Sequence, residues 1–194
     1  MSENITAVSL FSGAGGMDVG FKNAGIKVLM ANEIDKMASK TFIENHPETK
    51  MIVDDINNIF PVLEEYRGVD IVFGGPPCQG FSVIGKMDPD DIRSQLIWSF
   101  LKAVEIIQPR AFVMENVKAL AAIAKWKDVR EEFIVKAKEM GYGCIPFIVN
   151  AAEYGTPQKR ERVFFIGIKG EEEFGDKFLE LLYKQKSKAP TIRE

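Results

Sequence analysis

Seven short apolar runs rich in β-branched and aromatic residues alternate along this chain with longer stretches of helical period. That alternation marks an α/β fold, a parallel sheet covered by helices on both faces. The runs fall at residues 7–11, 28–32, 51–53, 70–74, 111–115, 144–149 and 163–168. Between the fourth and fifth, Leu96, Ile97, Phe100, Leu101, Val104 and Ile107 recur at three- and four-residue steps, the face of a helix that starts near Ser94 and ends before Pro109. Val129, Phe133, Ala137 and Met140 form a second stripe, with Gly141 where that helix should stop. One connection departs from the pattern. Residues 75–93 are Gly- and Pro-rich and too long for an ordinary strand-to-helix turn, and loops of that length usually serve function.

Composition narrows the chemistry. A chain of 194 residues with 46% apolar content suits one domain whose core needs no disulfide. The two cysteines, Cys78 and Cys144, form no CxxC pair, and a single histidine, His46, leaves too few soft ligands for a metal site. A net charge of −3 provides no general positive field for a polyanion, so any grip on nucleic acid is local or borrowed. No apolar run approaches the roughly 20 residues that span a bilayer, and the first residues lack the features of a secretion signal. These features point to a soluble, cytoplasmic protein with no membrane partner.

The residues at the expected strand ends carry the chemistry. Phe11-Ser12-Gly13-Ala14-Gly15-Gly16 stands where the first strand turns into the first helix, where bare backbone can approach a ligand. A glycine turn that merely packs a helix on the sheet is the plainer alternative. Glu33 ends the second strand twenty residues after Gly13, the place from which a carboxylate accepts ribose hydroxyls in a doubly wound sheet. Asp54 and Asp55 end the third, where they suit either an adenine amine or a helix cap before Asn57. Cys78 follows Gly74-Gly75-Pro76-Pro77 just beyond the fourth strand, held by rigid prolines among polar neighbours, a setting that favours a nucleophile over a core thiol. Cys144, inside an apolar strand, reads as core. If the fourth and fifth strands are neighbours, about 4.8 Å apart, Cys78 and Glu115 address one small ring. The cations of Gln158-Lys159-Arg160-Glu161-Arg162 precede the seventh strand. His46, Trp98 and Trp126 read as structural.

Taken in order, these segments resemble the DNA cytosine-5 methyltransferases. The likeness runs through Phe-Ser-Gly-Ala-Gly-Gly, Asn32-Glu33-Ile34-Asp35, Asp54-Asp55-Ile56, Pro76-Pro77-Cys78-Gln79, Glu115-Asn116-Val117 and Gln158-Lys159-Arg160-Glu161-Arg162. It implies a Rossmann-like methyltransferase fold with a seven-stranded, mostly parallel sheet, and S-adenosylmethionine as methyl donor, with S-adenosylhomocysteine as product. Phe11, Gly13, Gly15, Glu33, Ile34, Asp55 and Leu96 would line the donor pocket. Cys78, Glu115 and Arg162 would be catalytic, acting on a cytosine flipped out of double-stranded DNA, with residues 79–93 as a lid.

Residues 1–170 would then be the catalytic core, and 171–194 a C-terminal helix and linker. Nothing after Lys169 resembles the family's target-recognition region or its last conserved blocks. A split enzyme completed by a second polypeptide is therefore expected, and a truncated gene is the alternative. A transfer-RNA methyltransferase of the same fold, a nicotinamide-binding module and a catalytically silent half are the competing readings.

Overall fold

The seven apolar runs all form strands of one sheet in the computed structural model, which describes residues 5–77 and 95–191. The strands are β1 (Thr6–Leu10), β2 (Lys27–Glu33), β3 (Lys50–Val53), β4 (Ile71–Gly74), β5 (Ala111–Val117), β6 (Tyr142–Asn150) and β7 (Glu161–Lys169). Their spatial order is β3-β2-β1-β4-β5-β7-β6. The first five pair in parallel, while β7 runs antiparallel to both β5 and β6. The sheet is thus mostly parallel, as the alternation implies. Its antiparallel edge has a simple cause: residues 151–160 join β6 to β7 with only a 3-10 turn (Ala151–Glu153), too little chain for the crossover that parallel strands require.

Seven α-helices are seen among the described residues: α1 (Gly16–Asn23), α2 (Lys36–Asn45), α3 (Phe60–Leu63), α4 (Leu96–Ile107), α5 (Lys118–Ala122), α6 (Lys127–Glu139) and α7 (Gly175–Lys184). The two stripes read from the sequence are α4 and α6. The α4 chain leaves the helix through Gln108 in the left-handed conformation, one residue before Pro109.

Side-chain parity along the strands assigns the faces. Val8, Leu10, Val72, Phe112, Met114, Val163 and Phe165 point to one side, into the main core with the inner faces of α4 and α6. At its centre the Phe112 ring meets Phe100, Phe133 and Tyr142 at centroid distances of 6.1, 6.2 and 5.3 Å. Such aromatic pairs each add about 0.5–1.5 kcal/mol beyond area burial. Ala7, Phe73 and Val113 point to the other side, where Met17 and Phe21 of α1 cover them, and Phe21 stacks on Phe73 at 3.8 Å. Farther along that side, α7 lays Phe178 on Phe147 of β6 at 4.7 Å. Helices therefore cover both faces. Trp126 and His46 are buried, in agreement with a structural role.

Candidate active site

The parallel register sets the geometry of the site. Leu10 pairs with Gly74 and Gly74 with Met114, so β1 and β4 end level while β5 runs on through Val117, and the residues after β4 meet those of β5 beyond Met114. Gly74 is what allows β4 to come so close, since a Cβ there would lie 2.2 Å from the Leu10 carbonyl oxygen. One residue on, the Cβ position of Gly75 is 3.3 Å from Glu115 Oε2. Asn116 then donates its Nδ2 to the Pro76 carbonyl oxygen at 3.2 Å, tying the proline segment to β5. The described chain reaches Pro77. Cys78 and the expected lid, residues 79–93, lie outside the described residues.

Glu115 faces the α1 side of the sheet, and antiparallel pairing brings the start of β7 beside it. Arg162 Nε lies 2.9 Å from Glu115 Oε1, and Arg160 is 4.0 Å from the same oxygen. Burial pushes the Glu115 carboxyl above the usual carboxylate range, while the two guanidinium groups pull against that shift. A carboxyl poised in this way can hold or deliver a proton, and its cations can hold a ring carbonyl. Neither Glu115 nor Asn116 is spent as a helix cap, because α5 begins after Val117 without a side-chain cap.

A cavity of about 520 Å³ opens in front of this group. Ser9, Phe11, Ser12, Asp18, Glu115 and Arg162 are among its walls, and its size falls within the range of small-molecule sites. Phe11 holds φ 53°, a left-handed conformation that is uncommon for an aromatic residue and concentrates at functional turns. Gly15 holds φ 91°, and a Cβ there would lie 2.5 Å from His46 Nε2, so the loop needs glycine at this point.

The remaining candidates stand at the ends of β2 and β3, and of the expected donor-pocket residues Phe11 alone is among the walls of this cavity. Glu33 is a bracket for the loop: Oε2 accepts from the Gly13 amide at 2.8 Å, and Oε1 from the Ile34 and Asp35 amides, both at 2.9 Å. Ile34 is 63% exposed beside it. Asp55 Oδ1 caps the 3-10 turn through the Asn57 amide at 2.8 Å and accepts from Asn57 Nδ2 at 2.9 Å. The capping alternative for Asp55 is therefore real. Asn57 Oδ1 in turn accepts from Ser99 Oγ of α4 at 2.9 Å, which links the Asp55 turn to the helix that begins at Leu96. Leu96 itself packs against the main core and does not line the cavity.

Two groups were not singled out by sequence reasoning. Asn32 is 2% exposed and donates to the carbonyl oxygens of Ile52 and Asp54 at 3.1 and 2.9 Å, while its own carbonyl accepts from the Ser12 amide at 3.0 Å. It joins three strand ends. Asp18 contributes a buried carboxylate to the cavity wall. A polar residue within a strand of Val, Leu, Met and Ala was a readable signal for the first, whereas an acidic residue in a first helical turn also suits the helix dipole and gave none for the second.

Comparison with known proteins matches residues 5–194 to the family described as C-5 cytosine-specific DNA methylase. The Type II methyltransferase M.DdeI of Desulfomicrobium norvegicum is 38% identical over 176 residues, which are 89% of this chain and 42% of that protein. M.AquIA of Picosynechococcus, also a Type II methyltransferase, is 41% identical over 174 residues, 82% of this chain and 70% of that shorter protein. M.AgeI of Thalassovita gelatinovora is 40% identical, with 38% of its length matched. Among solved structures, a prophage-encoded DNA modification methyltransferase from E. coli superposes with a TM-score of 0.73 at 35% identity, covering 86% of this chain and 47% of that one. Spodoptera frugiperda DNMT2 gives 0.70 at 26% identity, covering 87% and 51%. The chain thus spans about two-fifths of the length of most of these curated relatives.

Proposed function

This chain belongs to the C-5 cytosine-specific DNA methylase family, and on that ground we propose that it carries the catalytic part of an enzyme that methylates carbon 5 of cytosine in double-stranded DNA. The observation that carries the reading is the convergence of Glu115, Arg162 and the Gly75-Pro76 segment, with Cys78 next in sequence after the prolines. S-adenosylmethionine, when bound, supplies an electrophilic methyl group. The residues present fit it: Glu33 Oε2 keeps acceptor capacity for a ribose hydroxyl, Asp55 keeps its second oxygen for an adenine amine, and exposed Ile34 offers an apolar face to the base. Phe11, Gly13 and Gly15 form the turn around it, and Leu96 stands behind the Asp55 turn.

Cys78 would add its thiolate to carbon 6 of the flipped cytosine, which leaves electron density on carbon 5 for attack on the methyl group. Glu115 would hydrogen-bond or protonate ring nitrogen 3 and so relieve the charge that repels the thiolate. Arg162 would orient Glu115 and the ring carbonyl together. Loss of the carbon 5 proton then frees Cys78. Target recognition, and the rest of the donor pocket, would come from polypeptide beyond these 194 residues, a complementary subunit in the reading favoured here.

The test is methyl transfer from labelled donor, with the complementing polypeptide present, to DNA and to transfer RNA. Label in 5-methylcytosine of DNA is expected, with Cys78→Ala and Glu115→Gln each inactive yet able to bind S-adenosylhomocysteine. Label in RNA alone, or activity that survives both substitutions, would overturn the proposal.

A further inference from the structure

Glu161 stands between the two arginines that reach Glu115, yet its own side chain takes no part in that contact. It opens β7, and alternation along the strand turns it away from the face that carries Arg162. Lys118 meets it there: Nζ donates to Glu161 Oε1 at 2.7 Å, with the two side chains 43% and 46% exposed. Exposed pairs add little to stability, so the place of this one matters more than its strength. On the β6 side the ladder reaches Glu161, which pairs with Asn150. On the β5 side it stops one residue earlier, at Val117 and Arg162, because the chain turns into α5 at Lys118. The ion pair thus takes the place of the next rung. It does so at the residue on which Arg162 depends, since Arg162 Nη1 donates to the Glu161 carbonyl oxygen at 2.8 Å while its Nε lies 2.9 Å from Glu115 Oε1.

We propose that Lys118 and Glu161 are positioning residues for the reaction, an ion pair that closes the open end of the β5–β7 ladder and so holds Arg162 against Glu115. The inference rests on the reading of Glu115 and Arg162 given above and adds to it two residues outside that set. A frayed start of β7 would shift the Glu161 carbonyl, which is one anchor of the guanidinium, and with it the reach of Nε to the carboxyl. A charge-assisted contact of this kind keeps its worth only while its geometry is held. Among the described residues, the charged groups that face Glu115 are Arg160 and Arg162 from the start of β7 and Asp18 of α1 across the cavity. Lys118 and Glu161 are not among the walls of that cavity, so they act on the carboxyl through the arginine.

The test is titration of Glu115 by carboxyl NMR of the labelled chain. The direct electrostatic effects of the two charges have opposite signs: loss of the Lys118 cation raises the Glu115 titration, and loss of the Glu161 anion lowers it. Release of Arg162 raises it in both cases. Glu161→Gln is therefore the decisive variant, and it is expected to raise the titration by roughly half as much as Arg162→Gln does. Lys118→Gln should raise it as well. The exchange of Lys118→Glu with Glu161→Lys, which restores an ion pair, should bring it back near that of the unsubstituted protein, with urea midpoints little changed throughout. With the complementing polypeptide present, turnover by Glu161→Gln should fall about 3–10-fold while KM for DNA stays within about 2-fold, and the exchange should recover most of the loss. A lowered or unchanged titration in Glu161→Gln, or an exchange that recovers nothing, would overturn the inference, as would a rise that comes only with a large loss of stability. The titration needs neither DNA nor donor and so judges the positioning role alone; absence of methyl transfer by the unsubstituted enzyme would overturn the reading of the reaction instead.

Discussion

Replacing Gly15 by alanine tests whether the loop after β1 is as constrained as its geometry implies. The residue holds φ 91° and ψ 20°, and the left-handed backbone costs a side-chain-bearing residue about 1–2 kcal/mol. The added methyl would also lie 2.5 Å from Nε2 and 2.7 Å from Cδ2 of His46, and 3.0 Å from Cδ2 of Phe42. His46 is 3% exposed and its ring is packed on Phe42 at 4.5 Å, so it has little room to withdraw. Overpacking of this kind adds about 1–3 kcal/mol. Gly15→Ala should therefore cost about 2–5 kcal/mol, and a loss of 3 kcal/mol in a chain of this size lowers Tm by about 6–12 °C. His46→Ala supplies the control. In its background the backbone cost persists and most of the steric one disappears, so urea unfolding of the four proteins should give a coupling energy of about 1–3 kcal/mol. Strictly additive losses would refute the account of this loop.

Asn32→Ala removes the donors for two carbonyl oxygens, at about 1–3 kcal/mol each, and Asn32→Asp should recover little because it cannot donate; urea midpoints for both variants decide this. Asp70 accepts from the Thr6 amide at 2.8 Å and pairs with Arg110 at 3.0 Å, and these contacts hold its carboxyl below the usual value, the Thr6 bond most strongly. A lowered folded value means that its contribution is present above the ordinary carboxylate range and is lost as pH falls through the lowered one. Asp70→Asn should therefore flatten the acid side of the stability curve, and a curve parallel to that of the unsubstituted protein would contradict it. Arg162→Gln takes away the nearer cation that opposes the burial of Glu115, so the Glu115 carboxyl should titrate higher, visible in carboxyl NMR of labelled protein and as an upward shift in the pH profile of methyl transfer.

Much of this was readable from the chain because the elements obey strong periodicities. All seven strands lie where β-rich runs predict them, and the α4 and α6 stripes point into one core, since burial of Phe100, Phe112 and Phe133 leaves little freedom of register. The antiparallel edge is set by the length of the β6–β7 link, a constraint that a list of apolar runs does not display. At the site, Glu115 and Arg162 are separated in sequence, and their pairing depends on β7 entering between β5 and β6. The carboxylates at the ends of β2 and β3 stand where expected, but Glu33 and Asp55 also hold backbone amides, because a loop in strained conformation needs such anchors. Leu96 packs against the main core, since the face of a helix is decided by all its apolar neighbours together. Asp18 was missed because its burial follows from tertiary packing of α1 and leaves no trace in local pattern.

The central claim is that Cys78 and the group around Glu115 act on one cytosine ring. The direct measurement is mass spectrometry of the protein, with its complementing polypeptide and S-adenosylmethionine, after reaction with DNA that carries 5-fluorocytosine at the target position. Fluorine at carbon 5 cannot leave as the proton does, so the account predicts a stable adduct joining the Cys78 sulfur to carbon 6 of a methylated fluorocytosine, formed much more slowly in Glu115→Gln. An adduct at another residue, or no adduct on the fluorinated DNA from a preparation that methylates ordinary DNA, would contradict it.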